Sequence, residues 1–181
     1  MAVTIFLSYP KPHLQSQSGF IDELHIYLKG RGMEPRTLGV NEYDMDAPLK
    51  AIRRLMLESN GLITVAFRRL YVENGAARYG ADIVGTSPIE FEDIWLTSPY
   101  CQIEPAMAYQ LGLPILILRE KGVYPEGLLE KGAVGTYMPE FSLEQDVPNY
   151  LQSPEWNSLV SKWEGKVRAV VDAKGDPPRL Y

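Results

Sequence analysis

Leu62-Ile63-Thr64-Val65-Ala66-Phe67 is the stretch that most narrows what this chain can fold into. It is strand-sized, carries one hydroxyl and no charge, and so has no polar face to turn toward water. A strand of that kind is buried on both sides, as in a parallel sheet with helices packed on each face. Val3–Leu7 and Pro114–Leu118 read in the same way. Between these runs the apolar residues follow the helical period. Phe20, Ile21, Leu24, Tyr27 and Leu28 form one stripe, with Ser18 as the expected N-cap and Gly30 or Gly32 as the stop. Leu49, Ile52, Leu55 and Met56 form a second, opened by Asp46-Ala47-Pro48 and ended by Asn60-Gly61. Ser98-Pro99 starts a helix expected to reach Leu111. Ser153-Pro154-Glu155 starts the closing helix, whose stripe is Trp156, Leu159, Val160, Trp163, Val167, Val170 and Val171. Glu34–Leu38 and Gly135–Phe141 read as short strands. This alternation predicts an α/β fold, a doubly wound parallel sheet of about five strands flanked by helices.

With 181 residues the chain suffices for one core and is short for two. Residues 1–175 therefore read as a single domain, with the closing helix over 153–174 and a frayed tail over 176–181. Residues 68–97 resist assignment. They hold Gly75, Gly80, Gly85 and Pro88 among scattered aromatics, and a structureless stretch of that length is uncommon inside a compact domain. The expectation is an insertion or lid, or small elements that periodicity does not reveal.

A net charge of −5 argues against a nucleic-acid partner, which calls for a basic patch. Cys101 is the single cysteine, and His13 and His25 are the only histidines, so no disulfide framework and no metal site are expected. Glu42, Asp44 and Asp46 lack the glycine and glutamate of a calcium loop. No apolar run nears the ~20 residues of a membrane helix, and no basic segment precedes Val3–Leu7 as in a signal peptide. A cytoplasmic location without membrane contact is the expectation.

Sheets of this kind bind ligands in the crevice beyond the carboxyl ends of their strands. Those ends are Ser8-Tyr9, the loop from Gly39, Phe67-Arg68 and Arg119. The helix that opens at Ser98 starts on the same edge. Within it Tyr100 and Glu104 stand four residues apart and so share a face. Pro105 has no N–H for the carbonyl of Cys101, so a kink or restart is expected there, leaving Glu104 accessible. On composition alone, a solvated helix acid is the reading that such a glutamate favours.

Ser98-x-Tyr100-Cys101-x-x-Glu104 resembles the Ser-x-Trp-Cys-x-x-Glu signature of Toll/interleukin-1 receptor (TIR) domains, with tyrosine in place of tryptophan. Ile5-Phe6-Leu7-Ser8-Tyr9 is similar to that family's opening box. Leu49–Asn60 and Leu62–Phe67 resemble its second helix and third strand, and Pro114–Leu118 its fourth strand. The resemblance spans most of residues 3–119 in order and then fades. It implies a flavodoxin-like fold and, for the bacterial NAD-cleaving type, an NAD⁺ nucleosidase that breaks the nicotinamide–ribose bond. Glu104 stands where that family has its catalytic glutamate. Some relatives cyclise the ADP-ribose into a signalling nucleotide that activates an effector protein in antiviral defence. The resemblance also implies self-association, and NAD⁺ as substrate with no further cofactor.

One carboxylate suffices for that reaction. Nicotinamide leaves NAD⁺ as a neutral molecule and needs no acid to protonate it, unlike the leaving group of a glycosidase. The enzyme must supply negative charge near the oxocarbenium ion and keep stray water out. Around Glu104, Tyr9 and Tyr100 offer flat faces for the rings and Ser8 a hydroxyl. Lys11, Arg36, Arg68 and Arg69 are candidates for the pyrophosphate, and Trp95 for a lid contact. Two other readings stand beside this one. Glu104 through Pro114 is also similar to the nucleophile segment of nucleoside 2-deoxyribosyltransferases, with Asp82 and Gly85-Thr86 a distant echo of a second motif. A non-catalytic TIR-like interaction module is the other.

Overall fold

The computed structural model describes residues 3–39, 47–133, 138–144, 150–173 and 176–177. Five strands build the central sheet: β1 (Val3–Ser8), β2 (Met33–Arg36), β3 (Gly61–Ala66), β6 (Ile115–Glu120) and β7 (Glu140–Phe141). They lie in the order β2-β1-β3-β6-β7, and every pairing is parallel. β3, the uninterrupted apolar run, is buried along its whole length. It sits at the centre of the order, as a strand with two apolar faces must.

Alternate side chains feed two layers. Ile5, Leu7, Ile63, Val65, Leu116 and Leu118 pack with α1 (Gln15–Gly30) and α4 (Pro154–Asp172). Phe6 and Leu62 face the opposite way, against Ile52, Leu55 and Met56 of α2 (Pro48–Leu57) and Ala108 of α3 (Tyr100–Gln110). A third cluster joins Ala66 and Ile117 to Cys101 of α3, Val123 and Leu129. The sheet thus lies between two helical layers, an α/β arrangement of flavodoxin-like order. In that order the chain switches sides between β1 and β3, the place where sheets of this kind bind ligands.

Several local expectations change. α1 begins at Gln15 rather than near Ser18, because Gln17 reaches back to accept a hydrogen bond from His13 N at 3.1 Å and secures an earlier turn. Leu49 is exposed, and the buried face of α2 is Ala51, Ile52, Leu55 and Met56. Asp46 lies outside the described residues, and no side-chain cap bonds the start of α2 at Ala47-Pro48. Ser153 does cap α4, accepting from Trp156 N at 3.1 Å. Of the strand expected over 135–141, Glu140–Phe141 forms β7, and residues 134–137 lie outside the described residues.

The unassigned stretch 68–97 is a β-hairpin, β4 (Leu70–Ala77) paired antiparallel with β5 (Ile89–Leu96). Its stem is fastened to the loop after β6: Trp95 N donates to Gly122 O at 3.1 Å and Tyr124 N to Trp95 O at 2.8 Å. Phe91 lies over Gly75, where a Cβ would come within 2.4 Å of the ring. That close approach is what glycine permits in a strand. No helix among the described residues is long and apolar enough to cross a membrane.

Candidate active site

α3 carries the central group. Its buried stripe is Cys101, Glu104, Pro105 and Ala108, the spacing of one helical face. Cys101 lies over Ala66 and Ile117, and Ala108 over Phe6 and Leu62. Glu104 is thereby pressed onto the sheet between them and is 8% exposed. This corrects the accessible glutamate expected from Pro105. The helix runs unbroken through the proline, which is itself buried against the sheet, and the glutamate goes inward with it.

Burial dominates the ionisation of Glu104. It pushes the carboxyl pKa up to about 7, and the Ser8 side chain, close by, holds it down in part. Ser8 ends β1 and is 3% exposed. Its Oγ makes no hydrogen bond of regular geometry among the described residues, so its influence on Glu104 is one of proximity. The Cys101 thiol is pushed up to about 12 by burial, although a Thr97 contact and Arg69 act the other way. It is neutral at any physiological pH and no nucleophile.

Tyr9, the next residue after Ser8, opens a separate cleft of about 700 Å³. Tyr9, Lys11, His13, Ser18, Thr37 and Gly39 are among its lining, at the carboxyl ends of β1 and β2 and the start of α1. Tyr9 is half-buried, and burial raises its hydroxyl pKa against a hydrogen bond with Thr37. Lys11 is exposed at the cleft rim. Tyr100, at the first turn of α3, is 40% exposed and does not share the burial of Glu104.

Arg36, Arg68 and Trp95 stand in structural contacts. Arg36 pairs with Glu58 at 2.8 Å. Arg68 is held on several sides: its Nε donates to Lys121 O at 2.6 Å, its N–H to Glu120 Oε2 at 2.7 Å, and its guanidinium lies 3.5 Å from Glu144. It also sits 6.0 Å from the Trp95 ring. Trp95 is half-buried in the hairpin stem, 5.0 Å from Tyr71. Arg69 is exposed. The structure therefore brings Glu104 to Ser8 on the α3 face of the sheet, Tyr9 to Lys11 in a cleft lined by α1, and Arg68 to Trp95 at the hairpin stem.

Two residues of the sheet escaped the sequence. Glu120, at the end of β6, is 3% exposed, and burial raises its pKa against the Arg68 contacts. An acid two residues beyond the apolar run Pro114–Leu118 was the available signal. Thr64 is fully buried and was passed over as an ordinary strand residue, although it is the one polar side chain in β3. Among the described residues no three histidine, cysteine or acidic side chains gather as a metal site.

No protein-family model matches the chain, and no curated protein matches it significantly. Among solved structures it is similar to the Clostridium botulinum CMP N-glycosidase BcmB, at 18% identity and a TM-score of 0.48, over 82% of this chain and 95% of that one. It is also similar to the TIR domains of the activated Roq1 resistosome, which directly recognises the pathogen effector XopQ. There the identity is 13% and the TM-score 0.41, over 94% of this chain and 74% of that one. At these values neither likeness carries a residue's role over to this chain.

Proposed function

We propose that the chain cleaves an N-glycosidic bond of a nucleotide, with NAD⁺ as its substrate and Glu104 as its catalytic residue. The observation that supports this is a single carboxyl, 8% exposed, pushed up to a pKa of about 7 beside the end of β1. A structural acid in that place would be paired with a cation. No cation acts on Glu104 among the described residues, so its charge is available for a ligand.

The C1′–N bond breaks heterolytically. Its electron pair goes to the nicotinamide nitrogen, which leaves neutral, and the positive charge passes to the ribosyl group. Ionised Glu104 stabilises that cation in a site of low dielectric, where such an interaction is strong. Water adds to the ribosyl carbon and gives up a proton, which Glu104 can accept. If a base nitrogen of the same molecule adds instead, the product is cyclic, the form a signalling nucleotide in bacterial antiviral defence would take. Tyr9 and Lys11 would hold the rest of the dinucleotide in the cleft that begins one residue beyond Ser8. Self-association of the chain, and an effector protein that senses the product, belong to the same reading.

Incubation with NAD⁺ followed by mass spectrometry tests this. Nicotinamide release is expected, with a fall of on the order of 10²–10³ in Glu104→Gln and Glu104→Ala. The pH dependence has a definite sign. Glu104 must be ionised, so kcat/KM rises with pH through an apparent pKa of about 7 and levels above it. A bound cationic substrate favours the charged form, so the limb in kcat lies lower. Base exchange on a deoxynucleoside without NAD⁺ cleavage would replace this reading by the deoxyribosyltransferase one. No turnover of either, with concentration-dependent assembly, would replace it by the interaction module.

A further inference from the structure

Two buried hydroxyls lie on the strip of sheet beneath α3, Ser8 Oγ and Thr64 Oγ1, and neither has a hydrogen-bond partner among the described residues. They stand side by side, since Ser8 of β1 pairs in register with Thr64 of β3. Both point to the α3 face: they alternate with Leu7, Ile63 and Val65, which pack on the opposite layer, and share their side with Phe6, Leu62 and Ala66. Along α3, Cys101 covers Ala66 and Ala108 covers Phe6 and Leu62, so Glu104, between them, lies over the row that holds the two hydroxyls.

A fully buried, unpartnered threonine in the central strand is costly, and valine of the same shape would serve the packing better. We propose that Thr64 is a positioning residue: with Ser8 it forms a two-hydroxyl cradle that fixes the ionised Glu104 carboxylate against the sheet and sets which oxygen faces the ribosyl carbon. The role rests on Glu104 being the catalytic group. Hydroxyl rotors turn freely, so both can donate when the carboxylate is charged and neither is needed when it is protonated. Competing charges are few. β1, β3, β6, α2 and the turn Gly127–Leu129 pack against α3, and none brings a charged group that shifts Glu104. Among the described residues Cys101 is the titratable group coupled to it, and Arg69 acts on Cys101 rather than on Glu104.

Thr64→Val and Thr64→Ser separate this from a packing role. The Glu104 carboxyl is titrated by carbon NMR in the whole chain without substrate, and nicotinamide release is followed against pH. Thr64→Val is expected to raise the Glu104 pKa by about one unit and to move the acidic limb of kcat/KM with it, while Thr64→Ser restores both. At about pH 5 and below, where Glu104 is protonated and the hydroxyl has no partner, the Tm of Thr64→Val is expected to equal or exceed that of the wild type. A folded Thr64→Val chain whose Glu104 titrates as in the wild type overturns the proposal. So does a titration that moves while the limb of an active enzyme stays. If the wild type releases no nicotinamide, the enzymatic reading fails and the positioning role falls with it, whereas the titration still reports whether the cradle exists. Should Thr64→Val not fold, Ser8→Ala is expected to raise the same pKa, and an unmoved value there overturns the cradle.

Discussion

A carboxyl that titrates near neutrality inside a protein weakens the fold wherever it is charged. Glu104 has its folded pKa raised to about 7 from an ordinary 4.5. Between these values the folded state holds more protons than the unfolded one, so stability falls as pH rises. The loss begins near pH 4.5, is complete above pH 7 and amounts to about 3 kcal/mol. Glu104→Gln removes the titration. Urea unfolding of both chains at pH 4 and pH 8 is expected to show the wild type losing about that amount relative to the variant. Equal pH dependence in the two would contradict the buried carboxyl. The position of this residue was legible from Tyr100-Cys101-x-x-Glu104, but its burial was not. Pro105 suggested an exposed break, and only the packing of Cys101 and Ala108 onto the strands shows the helix continuing and the glutamate turned inward.

Among the elements, the β4–β5 hairpin departs most from what periodicity revealed. An isolated two-stranded hairpin is marginal in water, so this one depends on what fastens its stem. Arg68 does much of that, through Lys121 O and Glu120, where its partner carboxyl is almost fully buried. Arg68→Ala leaves Glu120 without its guanidinium and is expected to destabilise by about 1–3 kcal/mol. Hydrogen exchange should show faster exchange across Leu70–Leu96 than in β3 or α1, and unchanged hairpin protection would refute the role. The stretch was opaque because its strands carry Gly75 beneath Phe91 and acids at Glu90, Glu92 and Asp93, so neither alternation nor a long apolar run marks them. By contrast α4 was legible almost to the residue, since its cap, first-turn proline and stripe are all local signals.

At the scale of the molecule, α4 closes one face of the sheet rather than trailing from it. Trp156, Val160, Trp163 and Val167 are buried among Leu7, Ile63, Val65 and Leu116. Trp163 Nε1 donates to Pro114 O at 3.2 Å, and Gly61 leaves no room for a Cβ, which would stand 2.6 Å from Val167. Glu164, between Arg31 and Arg168 at 2.6 Å each, ties the far end of the helix to α1. Truncation before Ser153 is expected to leave a chain without a cooperative unfolding transition, and a well-folded truncate in a thermal melt would show the core to be smaller than it is drawn here. The parallel sheet, its central strand and its helices follow from local causes: apolar runs with no polar face must be interior, and a 3.6-residue period must lie against something. The register of β1 and β3, which sets Ser8 beside Thr64, and the docking of α3, which lowers Glu104 over them, join residues far apart in the chain. Nothing local encodes such a meeting, because it depends on which faces remain after the whole sheet has packed.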